Sequence, residues 1–508
     1  MNYKHIIGCL FLAGSLSVST TSCSDWLEVD MEDSILENTL FSTNEGFLTA
    51  LNGVYSMLNS TSLYGGALSM HGIDIMAQYY NVPSGTTHTY SYFSSYDYDS
   101  DEFDKFSNSL WSSMYSQLAN VNLLLENCDA PGAALLPKYY PVVKGEALAL
   151  RGMMHLDLLR LYGPAYSDET ASRECLPYQE DSKRTVQPLL SSEVFLGKVI
   201  RDLEEAASLL KESDPVVTEG IKDGVVSDDG LDSYDMSYRQ LRLNYYAVET
   251  LLARAYLWKG DKAKAYDIVK NEIIAKSETE QLDVFPWMPK ADVQKTIDAA
   301  RPDYLFSSEV MFSLYNMSRK SLYNAYFSPS VTGSNRLFFV GSSEAGEDSK
   351  LKSFYDDDND IRKRMWSFEQ GESSGDNSIC LMKYKDFSVS DNESDTLTYR
   401  YMIPLIRKSE VYLMAAECAE DPVDAARYVN TLRTQRGAAS VEITAENKQD
   451  YITREFAREE VGEGQLFFYY KRLGMDKLIS GTSATGTYSM TLDNYVVPLP
   501  SNETDQRN

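Results

Sequence analysis

Seven aromatic residues crowd between positions 79 and 98: Tyr79, Tyr80, Tyr90, Tyr92, Phe93, Tyr96 and Tyr98, interleaved with Ser, Thr, Asn and Asp. Neither a helical period nor strand alternation explains that spacing. Tyrosine joins an apolar ring to a polar tip and suits wet binding surfaces. Sugars present apolar C–H faces that stack on such rings, and hydroxyls that pair with Asp, Asn, Ser and Arg. A platform of several rings with a few convergent polar groups fits such a ligand. Peptides also favour tyrosine, and rings that only pack loops onto a scaffold would look the same in sequence. The chain carries 36 Tyr in 508 residues, so their placement decides their meaning. A second group follows further along: Phe285, Trp287, Tyr304, Tyr315, Tyr323, Tyr326 and Phe327.

Other chemistry finds less support. Asp97, Asp99 and Asp101 have the spacing of a calcium loop, but Glu102 stands where its glycine belongs and Asn108 where its final acid belongs. The Asp356-Asp357-Asp358 run reads as a solvated, helix-capping stretch. His71, His88 and His155 show no ligand spacing, and His155 reads as structural. No G-x-S-x-G, Walker or Rossmann glycine pattern occurs. A glycosidase needs two placed carboxylates, and among 75 acidic residues abundance proves nothing. No cofactor and no metal is expected. A net charge of −28 disfavours nucleic acid as a partner.

The elements that must position the rings are mostly helical. Helical spacing runs through Trp111–Leu125, Ala147–Leu161, Val194–Leu210, Tyr245–Ala255, Ala263–Val269, Glu410–Ala419 and Asp424–Arg436. Gly163-Pro164, Gly260-Asp261 and Asp421-Pro422 break the pattern. Ala253 to Tyr266 looks like the middle of a tetratricopeptide helix pair, with small alanines and a glycine turn. Residues 60–108, 165–190, 212–240 and 277–400 are loop-like, with short strands expected at Val310–Tyr315 and Arg336–Val340. Loops that long are usually functional. At the N-terminus, Lys4, the apolar Ile6–Val18 and the small residues before Cys23 read as a secretory signal over 1–22. Cys23 offers a thiol for lipidation. Cys128, Cys175, Cys380 and Cys418 show neither a zinc pattern nor a disulfide framework.

These pieces, taken in order, resemble the SusD/RagB family of nutrient-binding lipoproteins over nearly the whole chain. Cys23 to Asp30 resembles the family's acidic start after its lipidated cysteine. Thr43 to Gly46 with Ala50 to Tyr55 resembles its first helix. Trp111, Tyr115, Ala119 and Asn120 match W-x3-Y-x3-A-N. Glu146-Ala147 through Arg160-Leu161-Tyr162-Gly163 matches the helix ending in R-L-Y-G, and Asp358 to Arg362 sits at the D-x-R element. Pro404 to Glu417, Arg454 to Gly474 and Pro498 to Glu503 match the C-terminal elements, with Gln465-Leu466 in place of the common Gln-Arg.

The resemblance implies a mainly α fold: tetratricopeptide-like helix pairs, a loop-rich ligand lobe and few short strands. It implies a single domain over 23–508, with an N-terminal portion 23–225 and a C-terminal portion 240–508. It implies a non-catalytic surface protein, anchored in the outer membrane through lipid on Cys23. Such a protein captures oligosaccharides, or peptides in the RagB branch, for a SusC-type TonB-dependent transporter. The family draws one stacking aromatic from just ahead of the W-x3-Y helix, which points to Tyr96 and Tyr98, with Tyr90 and Tyr92 in the same cluster. It draws others from the region of Trp287 and Tyr323.

Overall fold

A computed structural model describes residues 37–183, 185–222, 236–288, 302–369, 378–387 and 397–507. Cys23 and the signal segment lie outside the described residues. The fold is mainly α, and the sequence-expected helices are present together with others, among them Arg319–Tyr326 inside the 277–400 stretch that reads as loop-like. They are α1 (Asn44–Met57), α2 (Asp101–Cys128), α3 (Tyr140–Tyr162), α4 (Ser192–Ser213), α5 (Tyr245–Lys259), α6 (Lys262–Asp267), α7 (Arg319–Tyr326), α8 (Lys408–Cys418), α9 (Pro422–Gln435), α10 (Lys448–Glu459) and α11 (Leu466–Leu473).

Local chemistry sets their ends. Thr43, Ser100, Ser191, Asn244 and Asp261 each accept a backbone N–H at a helix start, the usual role of an N-cap. Gly260 closes α5 at φ +84°, and Asp261 starts α6 at once. The α3 helix is buried almost all round, as a helix at the centre of a stack must be. Gly145 and Gly152 let it approach α4 closely: a Cβ at either position would fall 2.9 or 2.8 Å from Leu210 or Leu203.

Strands are short. Glu174–Pro177 (β1) pairs with Leu189–Ser191 (β2), and Val310–Tyr315 (β3) pairs with Met402–Arg407 (β7) across the Ser313–Pro404 register. A three-stranded sheet orders Phe338–Phe339 (β4), Ser378–Leu381 (β6) and Trp366–Glu369 (β5). The strand expected over Arg336–Val340 is thus only two residues long. Lys477–Ile479 (β8) and Thr487–Ser489 (β9) close a last hairpin. The four described cysteines are free and buried. No helix among the described residues is long and apolar enough to cross a membrane.

The C-terminal half is held by an ionic cluster in the core. Glu459 accepts from Arg362 Nη1 (2.9 Å), Arg407 Nη1 (2.8 Å) and Arg436 Nε (2.8 Å) and Nη2 (3.0 Å). Arg436 also holds Glu309 beside β3 (2.6 Å), and Glu455 takes Arg362, Arg433 and Arg458. Burial opposes the Glu459 charge, yet Arg436, Arg407 and Arg362 outweigh it and hold that carboxyl well below its ordinary value. Asp356 is exposed, as expected of a solvated run, but it is not unpaired. It pairs with Arg433 and Arg458 at 3.1 Å, because α9 and α10 bring two guanidiniums to the loop, while Asp358 stays exposed beside Lys363. The D-x-R element resolves as Asp360 with Arg362 at 2.6 Å.

Candidate functional site

The tyrosine-rich loop is seated on the scaffold before it presents any ring. Asp74, on a one-turn helix at Gly72–Met76, accepts the N–H groups of Gly462 (2.6 Å) and Gly464 (3.0 Å) and the Tyr80 hydroxyl (3.2 Å). Burial pushes its pKa up to about 8, against the pull of those three donors. Gly462 and Gly464 adopt φ +80° and +71°, a region that strains residues bearing a Cβ. At Gly464 a Cβ would also fall 1.9 Å from the Leu68 carbonyl. Tyr79 adds a hydroxyl bond to Ala457 O (2.7 Å), and buried Lys350 donates to Gln78 O (3.2 Å) and to Tyr79 O.

From that seat the loop carries its rings to a second loop. Tyr90 meets Tyr326 of α7 at 6.3 Å between centroids, and His71 lies between them at 5.7 and 4.7 Å. His88 packs 5.9 Å from Tyr90 and bonds Arg336 O at 3.3 Å. Thr89 N donates to Ser334 O at 2.9 Å, and the Thr89 hydroxyl donates to Asn335 Oδ1. Tyr92 packs on Phe93 at 4.4 Å and lies near Tyr90 and Tyr326. Burial lowers His71 to about 4, so it is a neutral ring at physiological pH. Tyr90 and Tyr92 are half-buried, and residues 84–87 and Thr89 are exposed around them. The result is a patch in which Tyr90 and Tyr92 are partly open, Tyr326, His71 and His88 are buried against them, and hydroxyl and amide groups form the border.

The other expected residues take different places. Tyr96 is buried at φ +55°, its hydroxyl donating to Met76 O (2.6 Å) and accepting from Gln78 (3.1 Å). Tyr98 is half-buried and donates to Asn494 O (2.5 Å). Both rings sit toward the C-terminal hairpin, Tyr96 lying 5.7 Å from Tyr488. They fasten the loop, and Tyr96 presents almost no ring surface. Tyr323 is buried on α7 with its hydroxyl 3.5 Å from Met382 Sδ. Trp287 packs on Tyr412 at 4.9 Å, with Lys408 and Arg436 over its ring; its ring contacts belong to the helical core. The structure therefore gathers Tyr90 and Tyr92 with Tyr326, and sends Trp287 elsewhere.

Comparison with known proteins decides the lineage. A family model described as the SusD family matches residues 299–506, and one described as starch-binding, associating with the outer membrane, matches 25–220. The chain belongs to the SusD/RagB family. No curated protein matches it. Among solved structures, a SusD superfamily protein from Bacteroides thetaiotaomicron is 20% identical at TM-score 0.67, covering 91% of this chain and 98% of that one. A putative sugar-binding protein from Bacteroides vulgatus is 24% identical at TM-score 0.64, covering 91% and 96%. Surface glycan-binding protein A from Bacteroides thetaiotaomicron is 16% identical at TM-score 0.60, covering 92% and 98%. At such identities these neighbours establish the SusD fold.

In this SusD/RagB chain the motifs behind the resemblance serve the scaffold. Arg160 of R-L-Y-G pairs with Asp157 and bonds Gln465 at 2.9 Å, and Tyr162 packs edge-on against Trp111 at 5.2 Å. Arg407 and Glu463 bond each other in the ionic cluster. His71, His88 and Tyr326 were not singled out from sequence. Isolated histidines carry no spacing signal, and Tyr326 sits in a tyrosine-rich stretch that offers no way to rank one ring over another.

Proposed function

We propose that this SusD/RagB chain is a non-catalytic surface protein that captures an oligosaccharide on the partly open Tyr90 and Tyr92 rings, with buried Tyr326 packed behind them. The observation that carries the reading is the meeting of two loops there. They bring partly open rings together beside Thr89 and Asn335, on a seat anchored through Asp74. Several modest stacking contacts with flanking hydrogen-bond groups give a sugar both adhesion and orientation. The family description and the neighbours' names, sugar-binding and glycan-binding, support the same class. On this reading residues 1–22 are a removed signal and Cys23 carries lipid in the outer membrane. Residues 23–508 then form one domain that delivers its cargo to a SusC-type TonB-dependent transporter, with the helix pairs as a tetratricopeptide-like frame.

A sugar face covering about 70 Å² of ring gains about 1.8 kcal/mol at about 25 cal/mol per Å². Each ring removed should therefore weaken binding about ten- to twentyfold. Calorimetry against a panel of oligosaccharides and short peptides, with product analysis of the same samples, tests the reading. Tyr90→Ala and Tyr92→Ala should each lower saccharide affinity without changing thermal stability much. Binding of peptides and no saccharide, or cleavage of the bound sugar, would overturn it.

A further inference from the structure

A second cleft of about 820 Å³ opens between the end of α1, the turn at residues 237–242, the end of β3 and residues 397–398. The chain holds 75 acidic against 47 basic residues, yet no carboxylate is among the described residues that line this cleft. Arg242 stands in its wall. The guanidinium lies 4.6 Å over the Tyr55 ring, and its Nη2 donates to Asn52 Oδ1. Its Nη1 is buried without a hydrogen-bond partner, and no carboxylate among the described residues forms an ion pair with it. The acid beneath, Glu146, is already taken: the Tyr55 hydroxyl donates to it at 2.9 Å and Arg239 binds it at 2.5 Å. A part-buried guanidinium with no paired carboxylate among the described residues stands out in a protein this acidic, where most buried arginines pair with carboxylates and Arg319 is held instead by the Tyr399 and Met402 carbonyls.

The rest of the lining suits a sugar. Asn59 Nδ2 donates to Tyr55 O (3.3 Å) and Tyr315 O (3.2 Å), and its buried Oδ1 is left without a partner. Tyr238 and Tyr315 are 38% and 41% exposed at the rim. Tyr238 is held at φ +54°, ψ +37°, a costly conformation for a residue with a Cβ and one that clusters at functional sites. We propose that this cleft is a subsite for a uronic-acid unit. Its carboxylate pairs with Arg242, whose planar fork matches that group. The C–H face of the ring rests on Tyr315 or Tyr238, and the hydroxyls reach Asn52 and Asn316.

The inference rests on the saccharide reading above but uses different residues, so the two can fail separately. The test is calorimetry of the purified protein with oligogalacturonate and with neutral oligosaccharides, at low and high salt. Arg242→Gln should weaken oligogalacturonate at least tenfold and remove its salt dependence, while neutral sugars bind as before. Tyr315→Ala, at an exposed ring, should also weaken the acidic sugar and serves as a second variant should Arg242→Gln fold poorly. Tyr90→Ala should leave the Arg242-dependent part intact. Wild-type protein that binds neutral sugar but no oligogalacturonate would overturn the inference alone. So would unchanged oligogalacturonate affinity in both variants. Binding of neither class would overturn the saccharide reading with it.

Discussion

Replacing Glu459 with Gln probes the ionic core where it is most connected. The carboxylate takes four hydrogen bonds of 2.8–3.0 Å from three arginines, all of them buried. An amide keeps one oxygen and turns an NH2 group toward guanidinium N–H donors, so two charge-assisted bonds are lost and one positive charge goes unanswered. Breaking a buried pair from one side costs about 3–5 kcal/mol, and two charge-assisted bonds at about 1.5–3 kcal/mol each agree with that. In urea the midpoint should fall while the slope m is unchanged. The acid limb gives an independent check. Because the folded-state pKa of Glu459 is depressed, its contribution is present above the unfolded value of about 4.3 and is lost as pH falls through the folded value. Glu455, also held low by arginines that outweigh its burial, acts in the same sense. Wild type should therefore lose stability below about pH 4, and the variant should lose it with a slope shallower by up to about 1.4 kcal/mol per pH unit. A Gln variant within about 1 kcal/mol of wild type, with the same acid slope, would refute the view that this cluster holds the C-terminal half together.

Two further expectations concern the seat of the ligand loop. Gly464→Ala places a Cβ 1.9 Å from Leu68 O at φ +71°, so it should destabilise by about 3 kcal/mol or more and lower saccharide affinity with it, seen in paired melting and binding curves. Tyr96→Phe removes the 2.6 Å bond to Met76 O and should cost about 1 kcal/mol of stability, while saccharide affinity, read by calorimetry, stays within twofold.

The helices were legible because their apolar spacing and caps are local properties. Gly260 and Asp261 mark the junction of α5 and α6 in sequence as they do in space. The binding surface was harder to read because tyrosine serves packing and recognition with one chemistry. Within one cluster, Tyr79, Tyr80 and Tyr96 are buried and fasten the loop, whereas Tyr90 and Tyr92 are half open. Only the chain's path over α7 separates the two roles. Trp287 looked like a stacking residue within the second aromatic group, but its neighbours Tyr412, Lys408 and Arg436 arrive from more than a hundred positions away. The cleft at Arg242 was invisible for the same reason, since Asn52, Arg242 and Tyr315 meet only through tertiary packing.

The seat of the tyrosine loop binds largely through the main chain. Asp74 holds two glycine amides, Tyr79 holds the Ala457 carbonyl, and Lys350 holds the carbonyls of Gln78 and Tyr79. None of these anchors depends on which side chains occupy residues 84–92. The tip can thus be rewritten, one set of rings for another, without unmooring it, which makes this stretch a natural cassette for transplanting one sugar preference onto another frame.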